Sequence, residues 1–262
     1  MRLFTRYFMF PQNWDFAKQN ATLENYNWQD LAYGNDKFIA ISENGYYSIT
    51  TNGKTWSEPA KITSDNQYSN VFFSGICYGF DKFYCLTDSG VIFELSTGTS
   101  WQVVSSDIEY PYNWKPAYGN NKIIAVSENI AYSTETTNIT NWTIPSTISG
   151  LNTSFQGITY NDDLREFYAI GYNGRVAKFN NYEKREIENI FEGSGWCDIC
   201  YDGTKLIALN SSGYTSKYTN GEGWTQPKFN KFLGSHNWVA FECSNDLMIA
   251  ISKNGYISTK RI

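Results

Sequence analysis

Short apolar runs separated by small polar residues and glycine recur along the whole chain, a pattern that predicts short antiparallel strands. Three segments show the order most clearly: Asp30–Ser42 (DLAYGNDKFIAIS), Lys115–Ser127 (KPAYGNNKIIAVS) and Asp198–Asn210 (DICYDGTKLIALN). Each run is followed by a two-residue turn such as Asn44–Gly45, and residues of this kind accept the positive φ that a tight hairpin needs. Each unit is therefore predicted to be a meander of antiparallel strands.

An aromatic residue marks the same place in successive units. Tyr33, Tyr78, Tyr118, Tyr160 and Tyr201 lie 45, 40, 42 and 41 residues apart, and Phe241 takes the sixth place 40 residues later. A repeat of about 40–45 residues is typical of the four-stranded blades of a β-propeller. The sequence therefore predicts an all-β fold, a six-bladed β-propeller of four-stranded antiparallel blades.

The tryptophans follow the same repeat and predict how the ring closes. One set lies three to five residues before the repeated aromatic residue: Trp28, Trp114, Trp196 and Trp238. A second set lies 11 or 12 residues after the hairpin: Trp56, Trp101, Trp142 and Trp224. The sixth unit reaches Ile262 without such a tryptophan. The segment Asn13–Phe16, which contains Trp14, is therefore predicted to complete the last blade and remove a free sheet edge.

This repeat accounts for residues 1–262 as a single β-propeller domain. The closing strand is expected within residues 1–20, with blades at approximately 26–60, 71–104, 112–146, 153–190, 195–229 and 236–262. Aromatic residues make up 18% of the chain, and we interpret most of them as the rings on which neighbouring sheets pack.

Charge and targeting signals narrow the classes of partner. The formal net charge of −5 argues against nucleic acid, which requires clustered Lys and Arg. The first residues, MRLFTRYFMFPQNW, place Arg6 inside the only apolar stretch and lack a small-residue cleavage site, so we expect no signal peptide. No apolar run is long enough for membrane insertion. We therefore expect synthesis in a cytoplasm, which is compatible with a component of a virion or phage-tail-like particle.

The five cysteines are predicted to be structural and reduced. Cys77, Cys85 and Cys200 fall where other units carry small residues, mostly alanine, and free cysteine fills a small core position well. Cys197 and Cys200 are three residues apart, and on a strand such residues point to opposite faces. We therefore expect neither a metal site nor a disulfide framework.

The sequence offers little for enzyme chemistry. Its single histidine, His236, cannot supply a multi-histidine metal site or a conventional catalytic relay. Hydrolysis by a pair of carboxylates stays open, although many of them fall in turns after the repeated aromatic residue: Asp36, Asp81, Asp162, Asp163 and Asp246. We therefore expect a non-catalytic protein with no cofactor.

The segment Ser48–Trp56 (SITTNGKTW) resembles the Asp-box hairpin of sialidase-like propellers, and Ser96–Trp101 and Thr219–Trp224 resemble it more weakly. The chain lacks the Asp after which the box is named. The residues at that position in the different units are Thr51, Ser96, Thr137 and Thr219. The resemblance implies the fold only, since that box is not catalytic in the family.

Sialidases bind the substrate carboxylate with three arginines from different blades, and this catalytic set does not carry over. The arginines of this chain are Arg2, Arg6, Arg165, Arg175, Arg185 and Arg261. Three of them belong to one predicted blade, the fourth. The Tyr-Gly-Asn and Asn-Gly repeats also resemble those of bacterial and phage propellers that lack an active site, which implies a component of a phage tail or a related particle.

We interpret the chain as a non-catalytic binding or assembly module of a phage tail, baseplate or phage-tail-like particle that docks a protein partner or a cell-surface glycan. The candidate binding residues lie in the loops between blades: Asp65, Asn66, Gln67, Tyr68, Asp107, Glu109, Tyr110, Tyr112, His236 and Asn237. The alternative is a glycoside hydrolase or lyase of the sialidase-like type acting on surface polysaccharide, recognised by carboxylates converging within about 10 Å in the central funnel. An intracellular scaffold is a third interpretation.

Overall fold

The computed structural model describes residues 13–96, 100–105, 113–128, 130–133, 139, 142–143, 153–180, 183–189 and 193–262. Apart from one 3-10 turn at Asn66–Tyr68, its regular elements are β-strands. No helix in these ranges is long and apolar enough to cross a membrane.

The strands of the described residues form the following antiparallel sheets. Sheet 1 contains β2 (Trp28–Gly34), β3 (Lys37–Ser42), β4 (Tyr46–Thr50) and β5 (Ala60–Lys61). Sheet 2 contains β6 (Phe73–Gly79), β7 (Lys82–Thr87), β8 (Ile92–Leu95) and β9 (Gln102–Ser105). Sheet 3 contains β10 (Lys115–Gly119), β11 (Lys122–Val126), β12 (Ile130–Ser133) and β13 (Trp142–Thr143).

The remaining sheets continue the series along the chain. Sheet 4 contains β14 (Phe155–Asn161), β15 (Glu166–Gly171), β16 (Arg175–Asn180) and β17 (Glu183–Asn189). Sheet 5 contains β18 (Trp196–Tyr201), β19 (Leu206–Asn210), β20 (Tyr214–Thr219), β21 (Gly223–Trp224) and β22 (Lys228–Phe229). Sheet 6 contains β23 (Trp238–Cys243), β24 (Leu247–Ser252), β25 (Tyr256–Arg261) and β1 (Lys18–Gln19).

The first strand of each sheet faces the centre of the molecule. These inner strands contact one another around a closed ring, in the order β2, β6, β10, β14, β18, β23 and back to β2. All the sheets are therefore arranged around one central channel, which is the arrangement of a β-propeller.

The prediction of six uniform, four-stranded blades is wrong. Sheet 5 has five strands, because its outer edge is made of two short strands, β21 and β22, that pair with opposite ends of β20. Pro227 lies between them, and proline has no N–H to donate to a continuous ladder. The regular part of the repeat is thus the inner three strands, while the outer edge varies from sheet to sheet.

The amino-terminal strand lies a few residues further along the chain than predicted. Within β1, Lys18 pairs with Ile257 and Gln19 with Tyr256 on β25. Asp15, from the predicted segment Asn13–Phe16, adds a backbone hydrogen bond of 2.7 Å to the carbonyl of Thr259 but stands outside the strand. Asn20 adds a further backbone hydrogen bond of 3.0 Å to the carbonyl of Gly255, so contacts between the two ends of the chain extend from Asp15 to Asn20.

The repeated Tyr-Gly pair has a packing reason. An ideal Cβ on Gly34 would lie 2.0 Å from the ring of Tyr78, and one on Gly119 would lie 2.1 Å from the ring of Tyr160. Each tyrosine thus packs flat on the glycine of the preceding sheet, where any side chain would collide with the ring. The repeat encodes contacts between neighbouring sheets as well as strands within one sheet.

The sixth repeated residue is two positions later than predicted. Pairing with the second strand places Cys243 opposite Met248, as Tyr33 is opposite Phe38, while Phe241 is opposite Ala250. The prediction at Phe241 was wrong because it matched aromatic character, whereas the register follows the turn that precedes the second strand. Sheet 6 therefore carries a cysteine where the other sheets carry the repeated tyrosine.

The hairpin that resembles an Asp-box is held by Thr50 and Asn52. The Thr50 hydroxyl accepts from the backbone N–H groups of Asn52 and Gly53, at 3.2 and 3.0 Å, and the Asn52 side-chain oxygen accepts from Lys54 and Thr55 at 2.8 and 2.9 Å. Thr51, which sequence analysis aligned with the Asp of the box, is exposed. The hydroxyl that stabilises this turn is therefore one residue earlier.

Candidate binding site in the central channel

Five tyrosines from five different inner strands surround one mouth of the central channel. This tyrosine collar consists of Tyr33, Tyr78, Tyr118, Tyr160 and Tyr201. They line a cavity of about 470 Å³ together with residues that include Glu242 and Cys243 from sheet 6. Each collar tyrosine ends its inner strand or comes just before its end, so the collar faces the side of the turns between first and second strands.

The collar hydroxyls are held at the rim by short polar turns. Tyr201 donates to Asp163 at 2.6 Å, Tyr118 to Asn121 at 3.2 Å and Tyr33 to Asp36 at 3.4 Å. Burial and neighbouring carboxylates raise the pKa of all five collar tyrosines, so the hydroxyls stay protonated at neutral pH. The rings are thereby fixed with part of their surface exposed in the cavity.

The collar is interrupted at sheet 6, where Cys243 takes the place of the tyrosine. The small side chain leaves Glu242 bordering both the collar cavity and a smaller cavity below it. The Cys243 N–H donates to Oε1 of Glu242 at 2.8 Å. Burial, with a smaller contribution from the negative charge of Asp30, raises the pKa of Glu242 from 4.5 to about 8. An incoming cation would favour the ionised form of this carboxyl.

Below the collar, two aspartates connect neighbouring inner strands. Asp30 accepts from the N–H of Leu31 at 2.9 Å and from that of Ile76 on β6 at 3.0 Å. Asp198 makes the same pair of contacts, with Ile199 at 2.8 Å and Phe241 on β23 at 2.8 Å. Each carboxylate therefore satisfies a backbone donor of the next sheet.

Glycines on the inner strands leave space for these carboxylates. An ideal Cβ on Gly157 would lie 2.2 Å from Asp198 Oδ1, and one on Gly75 would lie 3.2 Å from Asp30 Oδ2. Lys115 lies in the same layer, with its Nζ donating to the carbonyl of Gln29 at 2.8 Å and lying 3.7 Å from Asp30 Oδ2. Around this layer the carboxylates and the lysine alternate with glycines, and their side chains fill the channel.

One ammonium group faces two buried carboxyls in this layer. Desolvation raises the pKa of Asp198 well above its ordinary value, and repulsion from Asp30 raises it further. Desolvation also raises the pKa of Asp30, although Lys115 opposes that shift. The space left between Asp30, Lys115, Asp198 and Glu242 is about 20 Å³, room for about one water molecule. This layer therefore closes the channel beneath the collar cavity.

The first group of loop residues proposed from the sequence lies on the other face of the ring. Asp65, Asn66 and Gln67 are exposed, and Asp65 caps the 3-10 turn by accepting from the Gln67 N–H at 3.1 Å. Tyr68 packs edge-on against Phe93, with ring centroids 5.2 Å apart. These residues precede the inner strand β6, whereas the collar residues stand at the ends of inner strands, so the two groups are separated by the length of the channel.

The other proposed loop residues are divided between described and undescribed parts of the chain. His236 stacks on Tyr256 with ring centroids 4.0 Å apart, and Asn237 adopts a φ of 56° while its carbonyl accepts from the Lys253 N–H. Asp107, Glu109, Tyr110 and Tyr112 lie outside the described residues. Their role in binding stays a prediction.

Asp30, Lys115, Asp198 and Glu242 were not predicted from the sequence, although the first three carry a signal. The signal was present at the position three residues before the repeated tyrosine, which reads Asp, Gly, Lys, Gly and Asp in successive units. Such alternation of charge and glycine is not needed by a strand that only packs on its neighbours. Among the described residues, no group of three or more His, Cys, Asp or Glu side chains is placed to hold a metal ion.

Comparison with known proteins shows the fold. No protein-family model matches the chain, and no curated protein matches it. Solved structures that are similar include a virginiamycin B lyase from Staphylococcus aureus, with a TM-score of 0.69 and 9% identity over 96% of this chain and 99% of that chain. The WD40 β-propeller domain of Doa1 has a TM-score of 0.62 and 11% identity over 94% and 96% of the two chains.

A third similar structure is YCF48 bound to a D1 peptide, with a TM-score of 0.60 and 14% identity over 95% of this chain and 96% of that chain. At such identities the similarity extends to the fold, and it confirms that the chain is a β-propeller repeat protein. The similar structures include both an enzyme and non-enzymes.

Proposed function

We propose that this protein is a non-catalytic binding module that holds a cationic group of a protein partner in the tyrosine collar. The observation that carries the proposal is the cavity of about 470 Å³ that five tyrosines line together with Glu242. Aromatic faces attract ammonium and guanidinium groups by about 0.5–2 kcal/mol each, most strongly where water is excluded. A carboxyl beneath such a ring provides a charged partner for the same ligand.

The charges around the rim favour a cation over an anion. Carboxylates act on the collar hydroxyls from neighbouring turns, and they include Asp36, Asp81, Asp162, Asp163 and Asp246. The cation acting on Tyr160 is Arg165. An approaching Lys or Arg side chain would therefore meet a negative rim, then aromatic rings, then Glu242.

A protein partner fits this site better than a glycan. A lysine or arginine side chain is long enough to enter a cavity with a narrow floor, while its backbone stays at the rim. The propeller of YCF48 has been solved with a D1 peptide bound, so this architecture accommodates peptide ligands. A protein partner is also what assembly into a phage tail, baseplate or phage-tail-like particle would require, and we propose that setting for this chain.

The cation preference is tested with two short glycine-flanked peptides, one carrying arginine and the other citrulline, which has the same shape without the charge. We expect changes in the NMR signals of the collar tyrosine rings and at least tenfold weaker binding of the citrulline peptide. Glu242→Gln should weaken binding of the arginine peptide, while Tyr172→Ala, at an exposed site outside the channel, should not. Equal binding of the two peptides would contradict the proposal.

A glycoside hydrolase or lyase is a second candidate, because Asp30, Asp198 and Glu242 line one small cavity in the channel. Two features weigh against it. The two aspartates are occupied by backbone donors, and a space of about 20 Å³ admits no sugar. Of these three carboxyls only Glu242 also borders the open cavity, where Asp162 is the other acidic residue. Cleavage of bacterial surface polysaccharide by the intact protein, abolished by Glu242→Gln, would favour the enzyme over the binding module.

The particle setting is tested by the genes beside the one that encodes this chain. Tail tube, sheath and baseplate genes in that neighbourhood would support it, and their absence would count against it. A glycan array separates surface recognition from protein assembly. Glycan binding that survives substitution of collar residues would place recognition elsewhere on the molecule.

A further inference from the structure

Two thiols from neighbouring inner strands lie unusually close together. The sulfur atoms of Cys200 on β18 and Cys243 on β23 are 2.7 Å apart. Non-bonded heavy atoms prefer separations of about 3.5–4 Å, whereas bonded disulfide sulfurs lie about 2 Å apart. The pair is therefore closer than a packing contact and needs only a small movement to become bonded.

The surrounding structure holds these two strands together. Two residues before each thiol, the Phe241 N–H donates to Asp198 Oδ2 at 2.8 Å, which fixes β23 against β18. Cys200 is buried, while Cys243 is partly exposed at the wall of the collar cavity. The first thiol has no route to solvent, and the second is open to a small reagent.

The other three cysteines have no such partner. Cys77 and Cys85 are buried, and the thiol of Cys197 donates to the carbonyl of Leu209 at 3.4 Å. All five cysteines belong to the described residues, and each is a free thiol in this structure. The proximity of Cys200 and Cys243 is therefore specific to sheets 5 and 6.

We propose that Cys200 and Cys243 form a reversible disulfide that joins sheets 5 and 6 at the wall of the collar cavity. The oxidant is a low-molecular-weight disulfide such as oxidised glutathione. The Cys243 thiolate attacks one of its sulfurs and releases one thiol. The Cys200 thiolate then displaces the second, so that two protein thiols become one disulfide and the reagent becomes two thiols.

The reaction should be slow at neutral pH and faster at higher pH. The thiolate is the nucleophile, and burial raises the pKa of both thiols. The hydrogen bond between the two thiols lowers the pKa of Cys243 and raises that of Cys200. Glu242 and Asp202 raise the pKa of Cys243 further, and Lys260 lowers it. Oxidation would place a cross-link where the other sheets carry a collar tyrosine.

The experiment uses the full chain treated with oxidised glutathione, followed by thiol titration in denaturant and mapping of disulfide-linked peptides. We expect the five thiols of the untreated protein to fall to three, with Cys200 and Cys243 in one linked peptide. The 43-residue separation of the pair predicts a rise in Tm on the order of 5–10 °C, reversed by dithiothreitol.

Matched variants show which two cysteines form the disulfide. Cys197→Ser, on the same strand as Cys200, should still lose two thiols, whereas Cys200→Ser and Cys243→Ser should each prevent the internal disulfide. Peptide mapping of the oxidised parent protein identifies the linked cysteines even if a variant does not fold. Retention of five thiols after prolonged treatment at pH 8.5, or a linkage between any other two cysteines, would overturn the proposal.

Discussion

The collar of sheet 6 differs from that of the other sheets, and the difference distinguishes residues that pack the sheets together from residues available for binding. In sheets 1 to 3, the collar tyrosine is followed by a glycine on which the next tyrosine packs. In sheet 6, the tyrosine is replaced by Cys243, and Glu242 precedes it. Packing between sheets accounts for the repeated tyrosines and glycines. Sheet 6 departs from the repeat, and there the carboxyl of Glu242 borders the channel.

The largest effect is expected from breaking the repeated packing itself. In Gly119→Ala the new Cβ would lie 2.1 Å from the ring of Tyr160, and that ring is held on its other side by Phe167. We expect the free energy of unfolding to fall by about 2–3 kcal/mol, as measured by urea denaturation. Gly221→Ala has open space around it and should lose only about 1 kcal/mol from its positive φ. Equal losses for both variants would contradict the packing role.

A smaller loss is expected from the layer below the collar. Asp198→Ala leaves the buried N–H of Phe241 without its acceptor, which costs about 1–3 kcal/mol of unfolding free energy. Removing the carboxyl also removes the cost of burying it, which offsets part of that loss. Thermal denaturation compared with Asp163→Ala, at the rim, measures the difference. If Asp198→Ala leaves the stability unchanged, then the bond between Asp198 and Phe241 does not contribute to holding the sheets together.

The sequence predicted the propeller because its signals are local. The repeated tyrosine, the turn residues and the tryptophans each recur once per sheet, and all three give the same repeat length. The register of sheet 6 was misplaced because Phe241 is aromatic and Cys243 is not, and only strand pairing distinguishes them. The channel site could not be assembled from the sequence, since Asp30, Asp198 and Glu242 come from three sheets and meet only when the ring closes.

Glu242 should make stability depend on pH. Its pKa of about 8 in the folded protein exceeds its value of 4.5 in an unfolded chain, so the folded state binds more protons between these values. Stability from this group is therefore complete below about pH 4.5 and declines as pH rises towards 8. Glu242→Gln should flatten that decline and raise stability at pH 8 by roughly 1–2 kcal/mol, a discounted figure because the side chain borders solvent.

Urea denaturation of both proteins at pH 5, 6.5 and 8 measures this difference. Asp246→Asn, at an exposed turn near the rim, is the matched control and should leave the pH dependence unchanged. A stability curve for Glu242→Gln parallel to that of the parent protein would mean that the carboxyl is fully hydrated in the folded state.

The smallest effect on stability, and the sharpest on function, is expected from completing the collar with Cys243→Tyr. In sheets 1 to 3 the residue after the collar tyrosine is glycine, whereas in sheet 5 it is Asp202, next to which the new ring would lie. Sheet 4 has Asn161 at this place, and Tyr201 of the next sheet still belongs to the collar, so a ring beside a residue with a side chain has a precedent. Because the added ring would extend into the open collar cavity, we expect a loss of about 1 kcal/mol of unfolding free energy, the low end of the cost of a small-to-large substitution. The added ring would cover Glu242 and reduce the affinity for the arginine peptide at least tenfold.

Cys243→Ser is the matched control, because it removes the thiol without filling the gap, and its affinity for the arginine peptide should stay within twofold of the parent value. If Cys243→Tyr folds and binds as tightly as the parent protein, then the opening at sheet 6 is not the entrance to the site. The five tyrosines would then act as scaffold alone, because they pack on the neighbouring sheets in the same way whether or not Glu242 can be reached.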